Sequence, residues 1–416
     1  MTANPSEITT CATECVPVVA ASSLESRNKF ILSLIDELLK GSGEILQANR
    51  VDLAAAEKDG LATPLVRRMR FTQSHVDARI HSLGKIADLP DPLGVLENYR
   101  LLPSGLWGGK MSVPLGVIAM IYEARPHVTL NAAAFCVKSG NPCILKGGKE
   151  TRCTNEVLSR VIERALTAAA LPVRTVQLVT NVSHEWVREL VTDQRIDLVI
   201  PRGGPGLVKS IVETARVPVL KHYRGVCQAF VHAEADLDKA EPILVNSKCF
   251  MPEVCNALEN AFVDASIADV AVPRLCEALQ KEGVEIRGCA RTRALFPDAK
   301  DATAEDFDTE YLDLVLSMAV VDGYDDALTQ MRKHTSGHTE VIITEDQDAG
   351  LRFLREMDGG VVLLNASTMF NDGEELGLGA EIGISTDKLH ARGPMGLAEL
   401  TSRKWVIFGE GQTKLK

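Results

Sequence analysis

Ten cysteines stand at positions 11, 15, 136, 143, 153, 227, 249, 255, 276 and 289, and a cysteine attacks carbon only as its thiolate. One of them has neighbours suited to that task. In the segment NSKCFMPEVCNA at 246–257, Pro252 and Glu253 read as a helix start just before Cys255. A cysteine in the first turn of a helix feels the positive end of the dipole, which lowers its pKa. Backbone N–H groups at such a position also hold an oxyanion. Cys249 is expected in the approach loop. The competing reading of Cys255 is plain burial, which is the expectation for the other nine. No C-x-x-C pair occurs, and no Cys/His cluster has zinc-finger spacing, so no metal site is expected.

Two further segments suit anions. DLVIPRGGPG at 197–206 reads as a strand, a glycine-rich turn (Gly203, Gly204, Gly206) and a helix. Such a turn aims N–H groups and a helix N-terminus at a dinucleotide phosphate, and Arg202 adds a charge. The spacing is not G-x-G-x-x-G, and an ordinary strand-to-helix turn reads the same. CILKGGKE at 143–150 sends Lys146 out of a buried strand into Gly147 and Gly148. With Lys149 it suits a phosphorylated ribose. Two solvated lysines at a strand end are the alternative.

Elements must position these groups. Phe30, Ile31, Leu34, Ile35, Leu38 and Leu39 recur at helical spacing in 24–48, with Gly41 and Gly43 interrupting or ending that helix. Residues 49–87 read as more helix, with Thr72 or Ser74 as N-cap, and 95–112 as a hairpin. From the run VPLGVIAMIY at 113–122, strands (143–145, 176–179, 197–200, 219–221) alternate with helices (129–138, 151–170, 184–193, 206–215). A second pattern starts near 227, with strands at 228–231, 261–263, 315–321, 340–344 and 361–364 and helices including 270–282 and 324–333. A last strand is expected at 405–408. The alternation predicts an α/β fold of two doubly wound domains.

The chain has 416 residues, and 45 basic against 56 acidic side chains give a net charge of −11. That balance argues against nucleic acid and against an anionic membrane surface as main partners. No apolar stretch reaches the length of a membrane span. Residues 1–20 have no basic n-region and too short an apolar run for a signal peptide, so they read as a frayed extension. A cytoplasmic location with reduced thiols is expected.

In this order, these segments resemble the aldehyde dehydrogenase superfamily. PLGVIAMI at 114–121 resembles its first cofactor-domain strand, Lys146 its ribose-binding lysine, 199–206 its glycine turn and Cys255 its nucleophile. More narrowly, residues 121–150, 198–208, 215–227, 364–368, 377–386 and 389–405 resemble the gamma-glutamyl phosphate reductase family. The resemblance covers nearly everything after about residue 24.

It implies NADPH-dependent reduction of L-glutamyl 5-phosphate to L-glutamate 5-semialdehyde and phosphate, the second step of proline biosynthesis, through a Cys255 thioester. It implies that NADP(H) is held by Lys146, Gly147, Lys149, Arg202, Gly203, Gly204, Gly206 and Glu310, and substrate by Glu123, Arg125, Asn365, Ser367 and Thr368. Asn365, Ser367 and Thr368 read equally as turn residues at a strand end. The implied layout is an extension (1–20), an NADP-binding domain (21–92 and 113–226), a catalytic domain (227–388) and an oligomerisation flap (93–112 and 389–416), with a cleft between the domains. A homo-oligomer is implied. The reactivity of an acyl phosphate in water adds a handover from glutamate 5-kinase.

Two departures carry information. Hydrolytic members have an ELGG-type segment whose glutamate activates water; here KHYRG at 221–225 stands there, with His222 near the glutamate's place. A thioester without that base reacts with phosphate instead, and His222 becomes a candidate acid/base or phosphate contact. The superfamily's oxyanion asparagine is replaced by EARP at 123–126. There Arg125 suits a carboxylate or phosphate, or an ion pair with Glu123. His338 and His390 read as structural. The alternatives are a hydrolytic aldehyde dehydrogenase for another small aldehyde and a non-catalytic scaffold with this fold.

Overall fold

A computed structural model describes residues 4–180, 183–221 and 224–414. The chain divides into two compact units: Met1–Lys221 with Gly377–Gly383 and Met395–Lys416, and His222–Leu376 with Ile384–Pro394.

The first unit opens with α1 (Pro5–Ala20), capped by the Asn4 side chain, which accepts from the Ser6 amide at 3.0 Å. Ile8 and Ala12 join a core with Val117, Ile121, Ile144 and Val199. The frayed extension expected over 1–20 is therefore, from residue 5 on, a docked helix. Its apolar positions are few and lie between Thr and Glu residues, but they share one face. Burying a residue such as Ile8 contributes about 1.5–3 kcal/mol. The next helix, α2 (Leu24–Lys58), runs through Gly41 and Gly43 without a break, where the sequence suggested an interruption. Each helical glycine costs about 1 kcal/mol relative to alanine. The fully buried row Phe30, Ile31, Leu34, Leu38 and Ile45 outweighs that. At Gly41 a Cβ would lie 3.4 Å from the Val161 side chain, so the small residue allows close helix packing. α3 (Thr63–Met69) and α4 (Gln73–Asp88) follow, and Thr72 caps α4, its amide donating to His75 Nδ1 at 3.2 Å.

The hairpin appears as β1 (Leu96–Leu101) and β2 (Trp107–Pro114), completed by the antiparallel terminal strand Thr401–Phe408. The single strand expected over 113–122 is two: β2 ends at Pro114, and β3 spans Ile118–Tyr122. Gly116 separates them at φ +126°, a conformation that demands glycine. Asp197 holds the corner by accepting from the Val117 amide at 2.7 Å. α5 (Pro126–Lys138), β4 (Cys143–Lys146), α6 (Arg152–Ala168), β5 (Val176–Val179), α7 (His184–Thr192), β6 (Leu198–Arg202) and α8 (Pro205–Thr214) then alternate. The sheet is parallel in the order β5-β4-β3-β6, and every residue of β3 is buried. The strand expected at 219–221 is reduced to one bridge, Val199 to Val219.

The second unit holds a seven-stranded parallel sheet. Its strands are β7 (Cys227–Val231), β8 (Leu258–Asp264), β9 (Glu285–Gly288), β10 (Lys300–Asp301), β11 (Val315–Val321), β12 (Thr339–Ile343) and β13 (Val361–Leu364), in the order β10-β9-β11-β8-β7-β12-β13. The sequence pattern missed β9 and β10, which are short and lie at one edge. The helices are α9 (Leu237–Cys249), α10 (Ala268–Lys281), α11 (Ala290–Leu295), α12 (Tyr324–His334) and α13 (Gln347–Glu356). Ala229 and Val231 enter one core with Leu244 and Leu275, while Phe230 enters another with Leu328 and Phe353. Alternate residues of one strand thus meet helices on opposite faces, the doubly wound arrangement read from the sequence. Among the described residues, no helix is long and apolar enough to cross a membrane.

Candidate active site

Cys255 does not start a helix. Residues 252–256 form turns between α9 and β8, with the Val254 amide donating to Met251 O at 3.3 Å and the Ala257 amide to Val254 O at 3.1 Å. The chain between Cys249 and Leu258 runs as turns rather than helix, and Cys249 closes α9 rather than lying in an approach loop. The dipole argument for Cys255 therefore falls. Among the described residues, helix starts hold Cys153, in the first turn of α6, and Cys289, the N-cap of α11. Burial pushes the Cys289 thiol up, but hydrogen bonds from Thr292 and nearby amides leave it below the ordinary value.

Cys255 is partly exposed, unlike the buried Cys227 beneath it. Its backbone is held from three sides. Cys227 Sγ donates to Cys255 O at 3.2 Å. Gly225 packs so tightly that a Cβ there would come within 2.9 Å of the Cys255 carbonyl carbon. Lys248 in the last turn of α9 and Glu259 in β8 pair at 2.7 Å with no side-chain exposure, clamping the two ends of the turn. Burial pushes the Glu259 carboxyl up to about 7, against the pull of Lys248. None of these residues was singled out from the sequence. Gly225 lies inside one of the resembling segments, but nothing local marks Lys248 and Glu259 as buried partners.

Glu310 accepts from the Gly225 amide at 2.9 Å, which brings it to the same framework as Cys255. Asn256, next to Cys255, donates to Met369 O at 3.3 Å and Asn371 O at 3.1 Å. Ser247 bonds to Ser367 Oγ at 3.0 Å and to the Thr368 amide at 3.0 Å. Ser367 and Thr368 are thus tied to the helix that leads to the Cys255 turn. Asn365, at φ +54°, commits its amide group to the Thr344 backbone, accepting at 2.8 Å and donating at 2.7 Å. His338 is buried, with Nδ1 facing Cys227 Sγ at 3.4 Å and Thr339 Oγ1 at 2.8 Å. His222 lies outside the described residues.

The first unit carries the other expected residues. Lys146 ends β4, half-buried; burial draws its pKa down, while Glu150 and Glu123 act the other way. Gly147 packs on Asn155, and a Cβ there would lie 3.3 Å from the Tyr122 ring. At Gly148 a Cβ would come within 2.8 Å of the Ala124 amide. Lys149 is exposed. In the glycine turn, Gly204 is the N-cap of α8 and has no side chain to cap it. Glu123 does so instead, its carboxylate accepting from the Gly204 amide at 2.8 Å. Glu123 thereby joins the Lys146 segment to the glycine turn. Arg202 and Gly203 stand in that turn, while Gly206 has open space around its α-carbon. Gly147 and Gly148 are filled by protein packing, whereas Gly204 and Gly206 leave the backbone open at the start of α8, and this opening with the half-buried Lys146 fits a nucleotide. Among the described residues, His, Cys, Asp and Glu gather nowhere in a group that could hold a metal ion.

The aldehyde dehydrogenase family model matches residues 12–287. A gamma-glutamyl phosphate reductase of Thermodesulfovibrio yellowstonii is 43% identical, over 97% of this chain and 97% of its own. One of Solidesulfovibrio magneticus is 46% identical, again over 97% of each chain. The crystal structure of gamma-glutamyl phosphate reductase from Thermotoga maritima is 38% identical and superimposes with a TM-score of 0.96, covering 99% of this chain and 100% of that one. The chain belongs to the aldehyde dehydrogenase family and, within it, to the gamma-glutamyl phosphate reductases.

Proposed function

We propose that this chain reduces L-glutamyl 5-phosphate to L-glutamate 5-semialdehyde, with Cys255 as nucleophile and NADP(H) as cofactor. The thiolate attacks the acyl carbon. An S–C bond forms, the C–O bond to the phosphoryl group breaks, and phosphate leaves with that electron pair. When bound, the nicotinamide cofactor supplies the hydride that takes the Cys255 thioester to the aldehyde level. Collapse of the thiohemiacetal oxyanion breaks the S–C bond and returns the thiolate. Lys146, Gly147, Lys149, Arg202, Gly203, Gly204, Gly206 and Glu310 are assigned to the cofactor, the two lysines favouring a phosphorylated ribose. Glu123, Arg125, Asn365, Ser367 and Thr368 are assigned to substrate, and His222 to phosphate or a proton.

The observation that carries the reading is the partly exposed Cys255 on a braced turn, in a chain of this family. The KHYRG segment supports phosphate over water as the second reactant. The test is NADP⁺ reduction with glutamate 5-semialdehyde, with and without phosphate. Cys255→Ala is expected to abolish phosphate-dependent turnover and to keep NADPH binding measurable. Turnover retained in that variant sinks the assignment.

A homo-oligomer is part of the same reading. Tyr99, Trp107 and Phe408 are exposed together on one face of the small antiparallel sheet, with Trp405 and Ile407 exposed on the other, apolar surface suited to a second copy of the chain. A cytoplasmic location and handover of the acyl phosphate from glutamate 5-kinase complete it. Handover fails if an inert trap for free acyl phosphate intercepts all flux in a coupled assay.

A further inference from the structure

Four stretches of the second unit, far apart in sequence, meet under the Cys255 turn through uncharged side chains. Cys227 opens β7, and Thr339 opens β12 with His338 just before it. Asn256 follows Cys255, and Asn371 closes the short turn after β13. Cys227, His338, Thr339 and Asn371 are fully buried, and Asn256 is nearly so.

Their hydrogen bonds close a ring. Cys227 Sγ donates to Cys255 O at 3.2 Å and faces His338 Nδ1 at 3.4 Å. His338 Nδ1 lies 2.8 Å from Thr339 Oγ1, which accepts from Asn371 Nδ2 at 2.7 Å. Asn371 O in turn accepts from Asn256 Nδ2 at 3.1 Å, and Asn256 is covalently joined to Cys255. The ring therefore grips the Cys255–Asn256 peptide at its carbonyl and at the side chain that follows. Burial pushes the Cys227 thiol well above its ordinary pKa, with a hydrogen bond from Thr339 opposing, so the sulfur stays protonated and remains a donor.

A buried hydroxyl or amide is a poor choice for packing alone, because it costs free energy unless it is partnered, and an apolar side chain of similar shape would fill the space. Linked to one another, such groups specify a single arrangement. The Cys255–Asn256 peptide is trans and planar, so a carbonyl held by Cys227 fixes the whole plane, with the Asn256 N–H pointing the opposite way. The tilt of that plane sets ψ at Cys255, and with it the direction in which the thiol leaves the backbone.

We propose that Cys227, Thr339 and Asn371 are positioning residues that act through the Cys255–Asn256 peptide to hold the thiol in its attacking orientation. This rests on the reading of Cys255 as nucleophile. What the three residues contribute is direction, not charge.

The test combines steady-state kinetics of semialdehyde oxidation with amide hydrogen exchange of the full chain without ligands, read on peptides spanning 252–258. The variants are Thr339→Val, Thr339→Ser, Cys227→Ala and the double variant Cys227→Ala/Thr339→Val, beside Cys255→Ala. Thr339→Val is expected to lower kcat about tenfold to a hundredfold, with the semialdehyde KM within about twofold of wild type. It should also speed exchange over 252–258. Thr339→Ser keeps the hydroxyl and should restore most of both. A ring opened once is already open, so the double variant should lose no more kcat than the worse single variant. Equal losses in Thr339→Val and Thr339→Ser assign the effect to packing and overturn the proposal. So do kcat losses that multiply in the double variant, and a loss confined to KM. Wild-type kcat in both Thr339→Val and Cys227→Ala, with Cys255→Ala inactive, overturns the positioning role and leaves the reaction standing. Turnover retained in Cys255→Ala sinks the reaction, while faster exchange in Thr339→Val still shows that the ring holds the turn. Should Thr339→Val fail to melt cooperatively, Cys227→Ser against Cys227→Ala makes the same comparison.

Discussion

Lys248 and Glu259 pair at 2.7 Å with neither side chain reaching solvent, and the turn between them carries Cys255. Removing one member of such a pair leaves a buried charge uncompensated. Glu259→Gln or Lys248→Met is expected to cost about 3–5 kcal/mol, read as a urea midpoint. The double variant Lys248→Met/Glu259→Leu should cost much less than the two single changes added together. If the costs simply add, the pair is not what holds the turn.

Gly225 sets the other side of that turn. A Cβ there would lie 2.9 Å from the Cys255 carbonyl carbon and 3.1 Å from its α-carbon. The turn must shift to admit it. Gly225→Ala should therefore lower kcat on the order of a hundredfold, the usual effect of misplacing a reacting atom by about 1 Å. The same variant should also lose about 1–3 kcal/mol of stability, read as a lower urea midpoint, because the atoms it meets are backbone. Wild-type turnover would show that the turn tolerates displacement.

Thiol labelling distinguishes the two interesting cysteines. Cys289 is partly exposed and its thiol lies below the ordinary pKa, so it competes with Cys255 for an alkylating reagent. Glutamate 5-semialdehyde should protect the Cys255 peptide and leave the Cys289 peptide unchanged in mass-spectrometric mapping. Protection of Cys289 instead would move the nucleophile.

Glu340 makes stability depend on pH. It is fully buried, accepts from Thr335 Oγ1, and its pKa is pushed up to about 7 from 4.5, by burial above all. The folded state therefore prefers the protonated carboxyl. That contribution is complete below the unfolded pKa and is lost as pH rises through the folded one. Glu340→Gln should flatten the fall in the urea midpoint between about pH 5 and about pH 8. An unchanged slope would assign the pH dependence elsewhere.

The aromatic side chains exposed on the two faces of the small sheet bear on assembly. Trp405 and Phe408 are 55% and 51% exposed. Trp405→Arg with Phe408→Glu should shift the protein to smaller species in sedimentation velocity while each chain stays folded. The same sedimentation coefficient in wild type and variant would remove these two residues from any interface.

What the sequence determined by itself was local and periodic. Strands and helices in α/β alternation, the branched run of β3, the glycine turn and the order of the resembling segments all depend on neighbours along the chain. It failed where distant residues decide. Gly41 read as a helix break because only the approach of Val161 explains it, and α1 read as frayed because its apolar face means nothing without the core it meets. Cys255 read as a helix start because Pro252 and Glu253 look alike in a helix and in a tight turn; the chain takes the turn, between ends joined by the Lys248–Glu259 pair. The partnership of Lys248 with Glu259 and the capping of Gly204 by Glu123 were set by tertiary structure alone. Buried charge is costly without a partner, and which partner is near is a fact of the fold, not of the chain order.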